Sequence, residues 1–260
     1  MKLEFYKYHG TGNDFIIIDN RKKKFNGDRK QIAHLCHRKF GIGADGLMLL
    51  QNKEGFDFEM VYFNSDGNES SFCGNGGRCI AAFAKKLNVI KKQETTFSAT
   101  DGIHTAAIRK ETISIRMKDV NDIESGSDFY LLNTGSPHYV KFANQVGRMD
   151  ILPESKKIRY SKRFTKKGVN VNFAEKKGNH VFVRTYERGV ENETLSCGTG
   201  VTATAIAAAV KSISTSKKHC KISTLGGELT VRFRRGNGNS FSDIWLEGPA
   251  TYVFKGELEL

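Results

Sequence analysis

The chain has 260 residues, of which 38% are hydrophobic and 27% charged, with only 3 prolines and a net charge of +13. This composition excludes disordered and collagen-like classes, and no apolar run approaches the roughly 20 residues of a membrane span. The basic balance alone would suit a nucleic acid or a membrane surface, but the lysines fall in short scattered runs at 22–24, 166–167 and 217–218 with no aromatic-interleaved stripe, so neither partner is expected. The start of the chain, Met1-Lys2-Leu3-Glu4-Phe5-Tyr6-Lys7, lacks the apolar core of a signal peptide, and a cytoplasmic location is expected.

In chain order, residues 15–18, 47–50 and 58–63 are rich in β-branched and aromatic or aliphatic residues and predict strands. Residues 80–87 are alanine-rich and predict a helix, and 105–109 with 113–116 predict a hairpin. Strands are predicted again at 139–142 and 181–186, a second helix at 201–211, and a second hairpin from 229–234 with 243–246. The second helix is so apolar that it should be buried on all sides.

The order of elements therefore repeats, and so do the residues. Cys73-Gly74-Asn75-Gly76 recurs 124 positions later as Cys197-Gly198-Thr199-Gly200. The same shift carries Phe58 onto Phe182, Tyr62 onto Tyr186, Arg38-Lys39-Phe40 onto Lys162-Arg163-Phe164 and Gly102 onto Gly226. Thr11-Gly12-Asn13 matches Thr134-Gly135-Ser136 one step short of it. Matches in one order at one offset indicate a duplicated domain. The expected fold is α/β of the mixed α+β kind. It has two pseudo-symmetric domains, 1–118 and 119–249, each a mostly antiparallel sheet wrapped around a central helix, with the active site in the cleft between them.

Each Cys-Gly-x-Gly turn opens an apolar helix. The first N–H groups of a helix have no intrahelical partner and sit at its positive end, a fitting place for a carboxylate. A cysteine there has more thiolate character. One such turn suggests a nucleophile. Two, in duplicated domains, suggest a cofactor-free racemase in which one thiolate removes an α-proton and the other thiol returns one to the opposite face. Cys73 and Cys197 are the candidates. The other three of the 5 cysteines, Cys36, Cys79 and Cys220, read as small buried hydrophobes. No metal site is expected: there is no C-x-x-C pair, and His34, Cys36 and His37 lack a second ligand cluster. Gly41-Ile42-Gly43-Ala44-Asp45-Gly46 matches G-x-G-x-x-G, but it precedes a strand where a dinucleotide loop must follow one. Gly10-Thr11-Gly12 lacks the lysine of a phosphate loop.

Further motifs complete the pattern: His9-Gly10-Thr11-Gly12-Asn13-Asp14-Phe15, Asn64-Ser65-Asp66-Gly67, Gly135-Ser136-Pro137-His138 and Glu187-Arg188-Gly189. With the two cysteine turns, the chain resembles the diaminopimelate epimerase family along essentially its whole length. The resemblance implies a PLP-independent enzyme, without cofactor, that interconverts LL- and meso-diaminopimelate in lysine and peptidoglycan-precursor synthesis. It implies a homodimer and a C-terminal strand, 250–260, that returns to the first domain. By the same resemblance, Cys73 and Cys197 exchange protons with substrate, and the backbone of Gly74-Asn75 and Gly198-Thr199 holds the reacting carboxylate. Asn13, Asn64, Asn170, Glu187 and Arg188 bind substrate, with Asn172 the alternative to Asn170. Arg188 suits the distal carboxylate as a planar fork and Glu187 the distal ammonium. The chain departs from the family at Ser136, where asparagine is usual. His138 could orient substrate, and Gly46 stands where some members carry a substrate-contacting side chain. Against this reading stand a racemase for another amino acid, such as proline or hydroxyproline, and a basic nucleic-acid-binding protein.

Overall fold

The structure is a computed structural model that describes residues 2–109, 112–214 and 216–259. It divides into two compact units, Met1–Ile115 with Gly248–Leu260, and Arg116–Glu247.

The first unit runs β1 (Lys2–Gly10), β2 (Asn13–Asp19), α1 (Arg29–Cys36), β3 (Gly46–Gln51), β4 (Phe58–Asn64), β5 (Glu69–Ser70), α2 (Gly74–Lys86), β6 (Glu94–Ala99), β7 (Gly102–Arg109) and β8 (Thr112–Arg116). The second unit runs β9 (Ile123–Ser125), β10 (Phe129–Asn133), β11 (Pro137–Phe142), α3 (Ile151–Arg159), β12 (Asn170–Lys177), β13 (His180–Glu187), β14 (Asn192–Thr194), α4 (Gly198–Val210), β15 (His219–Thr224), β16 (Gly227–Arg235) and β17 (Phe241–Pro249). The chain then closes with β18 (Thr251–Glu259), which pairs antiparallel with β1.

Taken separately, the two units have one topology. In the first, β2 pairs parallel with β3, β3 antiparallel with β4, and β4 parallel with β6, which turns back into β7. In the second, β11 pairs parallel with β12, β12 antiparallel with β13, and β13 parallel with β15, which turns back into β16. β4 alternates buried and less buried positions, as a strand with one face on a core does.

The central helices are α2 and α4. Both have 13 residues, and each begins directly after a cysteine. α2 buries Ile80, Ala81, Phe83 and Ala84 against β1, β2, β3 and β7. α4 is buried along almost its whole length, and its alanines let β11, β12, β13, β15 and β16 approach closely. The sequence places these helices from 80 and from 201; the structure starts them at Gly74 and Gly198. Glycine costs about 1 kcal/mol relative to alanine inside a helix, which is why the glycine-rich turns read as loop. Packing outweighs that cost, since burying Ile80 and Phe83 is worth roughly 1.5–3 kcal/mol each. It also requires small residues. A Cβ on Gly77 would lie 2.4 Å from the Phe72 ring, and one on Gly200 would lie 2.5 Å from Asn172 Oδ1.

Candidate active site

In the first unit, Cys73 is the N-cap residue of α2, with φ −114° and ψ 125°. The β1–β2 hairpin reaches it through a two-residue turn in which Thr11 (φ 49°) and Gly12 (φ 86°) both have positive φ. A β-branched residue rarely adopts that conformation, and here it sets Asn13 beside the cysteine. Cys73 Sγ lies 3.6 Å from Asn13 Oδ1, which also accepts from Asn75 Nδ2 at 3.4 Å. Asn13 Nδ2 donates to Asp45 Oδ2 at 2.7 Å.

Beneath this half lies Arg78, fully buried on α2. Its guanidinium donates to Asn75 Oδ1 at 2.8 Å, Pro249 O at 3.2 Å, Gly74 O at 3.3 Å and Thr11 Oγ1 at 3.4 Å. Burial lowers its pKa from the ordinary arginine value, but an arginine stays charged. A fixed cation therefore stands next to the helix N-terminus. Asn64 ends β4 opposite Gly46 of β3, exposed, with its backbone closing the turn to Asn68. Gly46 faces inward, and a Cβ there would lie 2.5 Å from both Phe63 O and the Tyr62 ring. Close approach of β4 leaves no room for a side chain at this position.

In the second unit, Cys197 is the N-cap residue of α4, with φ −112° and ψ 111°, nearly the backbone conformation of Cys73. Its Sγ lies 3.5 Å from Thr199 Oγ1, and Thr134 Oγ1 donates to Thr199 O at 2.8 Å. The Glu187 carboxylate accepts hydrogen bonds from Thr194 Oγ1, at 3.0 Å, and from the Cys197 thiol. Burial raises the Glu187 pKa, and those two hydrogen bonds oppose the shift.

The structure brings Ser136, His138, Asn170 and Arg188 together. Asn170 Nδ2 donates to Ser136 Oγ at 2.9 Å, and Asn170 Oδ1 accepts from the Arg188 backbone N–H at 2.8 Å. Arg188 Nη2 lies 3.4 Å from the same Ser136 Oγ, and its Nη1 donates to Lys167 O. Asn172 is buried one layer behind, held by Thr185 Oγ1, Tyr139 O and His138 Nδ1. Asn170, not Asn172, is thus the asparagine that meets Arg188 and Ser136. His138 is fully buried, and burial drives its pKa down to about 3, so the ring is neutral.

Three residues outside the sequence-based site candidates hold this hydrogen-bond network together: Asp45, Arg78 and Glu191. Glu191 accepts from Arg159, Tyr160, Tyr186 and the Gly189 N–H, which ties down the turn carrying Glu187 and Arg188. Arg78 precedes the span 80–87 that predicts the helix, so no sequence signal marks its burial. Burial pushes the Cys36 thiol to about 11, the Cys79 thiol to about 12 and the Cys220 thiol upward, as suits packing residues. Among the described residues no group of three or more His, Cys, Asp or Glu could hold a metal ion.

A family model described as diaminopimelate epimerase matches residues 5–121 and 130–253. A diaminopimelate epimerase of Flavobacterium psychrophilum is 51% identical over 97% of this chain and 99% of its own length. One of Chlorobaculum tepidum is 37% identical over 96% and 99%. Among solved structures, a PhzF-family phenazine biosynthesis protein of Bacillus anthracis superposes with a TM-score of 0.79 at 13% identity, covering 100% of both chains. A hydroxyproline epimerase of Agrobacterium vitis superposes with a TM-score of 0.68 at 13% identity, covering 99% and 92%. At such identities the likeness concerns the fold alone.

Proposed function

The chain belongs to the diaminopimelate epimerase family and epimerises diaminopimelate, and from that premise we propose that Cys73 and Cys197 are its two acid–base groups. The observation that carries this is the repetition of one device: a cysteine of the same backbone conformation capping a 13-residue helix in each unit.

In the proposed step one cysteine is thiolate and the other thiol. The thiolate takes the α-proton of one stereocentre, and the thiol gives its proton to the opposite face of the resulting carbanion. The LL form thereby becomes meso, and the two sulfurs exchange protonation states; the reverse step restores them. The N–H groups opening α2 and α4, at Gly74-Asn75 and Gly198-Thr199, stabilise charge on the reacting carboxylate. Arg188 takes the distal carboxylate, with Ser136 Oγ beside it. Glu187 and the asparagines Asn13, Asn64 and Asn170 supply the remaining polar contacts. No cofactor is required by this route, and its product serves lysine biosynthesis.

Incubation with LL-diaminopimelate in D₂O tests the proposal. Conversion to the meso form with one deuterium at the inverted α-carbon is expected. Folded protein that exchanges no α-proton would refute it.

The apolar residues Tyr252, Val253 and Phe254 are all exposed on β18, and Phe254 lines with Phe5, Phe40 and Leu258 a hollow of about 400 Å³. On these grounds we assign β18 to contact with a second copy of the chain. No helix among the described residues is long and apolar enough to cross a membrane. Five free cysteines suit a reducing compartment, and we place the protein in the cytoplasm.

A further inference from the structure

The Gly41-Ile42-Gly43-Ala44-Asp45-Gly46 motif is not a nucleotide loop, yet its Asp45 carboxylate bonds the asparagine beside the first cysteine. Asp45 is held from several sides. Its Oδ1 accepts from Arg38 Nη2 at 2.7 Å, and its Oδ2 accepts from the Asp14 N–H at 3.2 Å. Arg38 also pairs with Asp14 at 2.7 Å, and Asp14 pairs with the buried Lys7 at 2.7 Å. Lys7 is anchored in turn on Gly43 O.

An ionised carboxylate only accepts hydrogen bonds. The end of the Asn13 amide that faces Asp45 must therefore be its NH₂, and Asn13 Oδ1 must point the other way. On that side lies Cys73 Sγ, at 3.6 Å. A carbonyl oxygen accepts a proton from a thiol and repels a thiolate. We propose that Asp45 is a positioning residue that fixes the orientation of the Asn13 amide and thereby stabilises the protonated form of Cys73.

Groups on α2 pull the opposite way. The N-terminal N–H groups and the Arg78 guanidinium both favour thiolate, and the Cys79 thiol there stays neutral. A thiolate stabilised too far is a weak base. The Asn13 carbonyl offsets that pull, so that Cys73 can both take and give a proton, as a reversible epimerase requires. In the second unit the Glu187 carboxylate meets the Cys197 thiol directly.

The functional meaning rests on Cys73 being catalytic, but the test reads the thiol itself. Iodoacetamide reacts with thiolate, so the pH midpoint of alkylation reports the thiol pKa. Alkylation of Cys73 and Cys197 would be followed by peptide mass spectrometry in the full-length wild type, Asp45→Asn, Asn13→Ala and the double variant. Asp45→Asn lets Asn13 turn its NH₂ toward sulfur, and the Cys73 midpoint should fall by about one pH unit. The Cys197 midpoint should stay in place. In the Asn13→Ala background, Asp45→Asn should add no further shift. A Cys73 midpoint that does not move, or that moves equally without Asn13, overturns the proposal. Asp45→Ala, which removes the clamp without adding an amide, is the second variant and must shift the midpoint the same way. A non-catalytic Cys73 would show separately, as turnover that survives Cys73→Ala.

Discussion

His138 makes stability depend on pH through a single buried ring. It is fully buried, with Asn172 Nδ2 at 3.1 Å from Nδ1 and Asn170 Nδ2 at 3.4 Å from Nε2. Burial lowers its pKa to about 3, with the Arg188 charge adding to the effect against the Asn172 hydrogen bond. In the unfolded chain the ordinary value of about 6.5 returns. The unfolded state therefore takes up a proton that the folded state refuses. The stability associated with neutral His138 is intact above pH 6.5 and is lost as pH falls toward 3, by about 1.4 kcal/mol per unit. Between pH 7.5 and 5 the loss should be about 2 kcal/mol. Asp14 does not confuse this window. Burial pushes its pKa up, but hydrogen bonds from Arg38 and Lys7 outweigh that and hold it to about 2, so its contribution fades only below about pH 4. Urea unfolding at pH 7.5, 6 and 5 measures the effect. His138→Gln, although less stable at pH 7.5, should lose about 2 kcal/mol less than the wild type over the interval. Equal losses in the two proteins would refute the reasoning.

Four other outcomes are expected. Cys73→Ala and Cys197→Ala should each cut epimerisation by about 10³-fold or more, read by deuterium wash-in and stereochemical analysis. Arg188→Met should raise KM for diaminopimelate about 30-fold, equivalent to about 2 kcal/mol, with a smaller effect on kcat, read by steady-state kinetics. Arg78→Met removes the guanidinium hydrogen bonds to Asn75 Oδ1, Thr11 Oγ1 and Pro249 O, and should cost about 2 kcal/mol in urea unfolding. Under the proposed contact of β18 with a second copy, where both side chains are exposed, Tyr252→Asp combined with Phe254→Asp should lower the sedimentation coefficient to that of a single chain.

Much of the molecule was legible in one dimension. The recurrence of Cys-Gly-x-Gly at a spacing of 124, with strand patterns before it and an apolar helix after it, specified a duplicated fold and singled out Cys73 and Cys197. That information is local: period 2 marks a strand, period 3.6 a helix, and a glycine marks a tight turn or a close approach. The lysine-rich surface carried no signal of this kind, and the +13 charge has no structural explanation.

Tertiary structure alone decided how the site is wired. Asn13 reads as a turn residue that binds substrate, but its amide is clamped between Asp45, 32 positions away, and Cys73, 60 positions away. Gly77 and Gly200 sit in the first turns of the two helices because Phe72 and Asn172 leave no room for a Cβ there, which helix propensity does not record. Asn170 and Asn172 lie two residues apart on the same strand, and only the positions of Arg188 and Ser136 separate the asparagine that bonds them from a buried strut. Sequence patterns of short period encode which face of an element is buried. The identity of a hydrogen-bond partner dozens of residues away depends on where the chain returns in space, and no periodicity reports that.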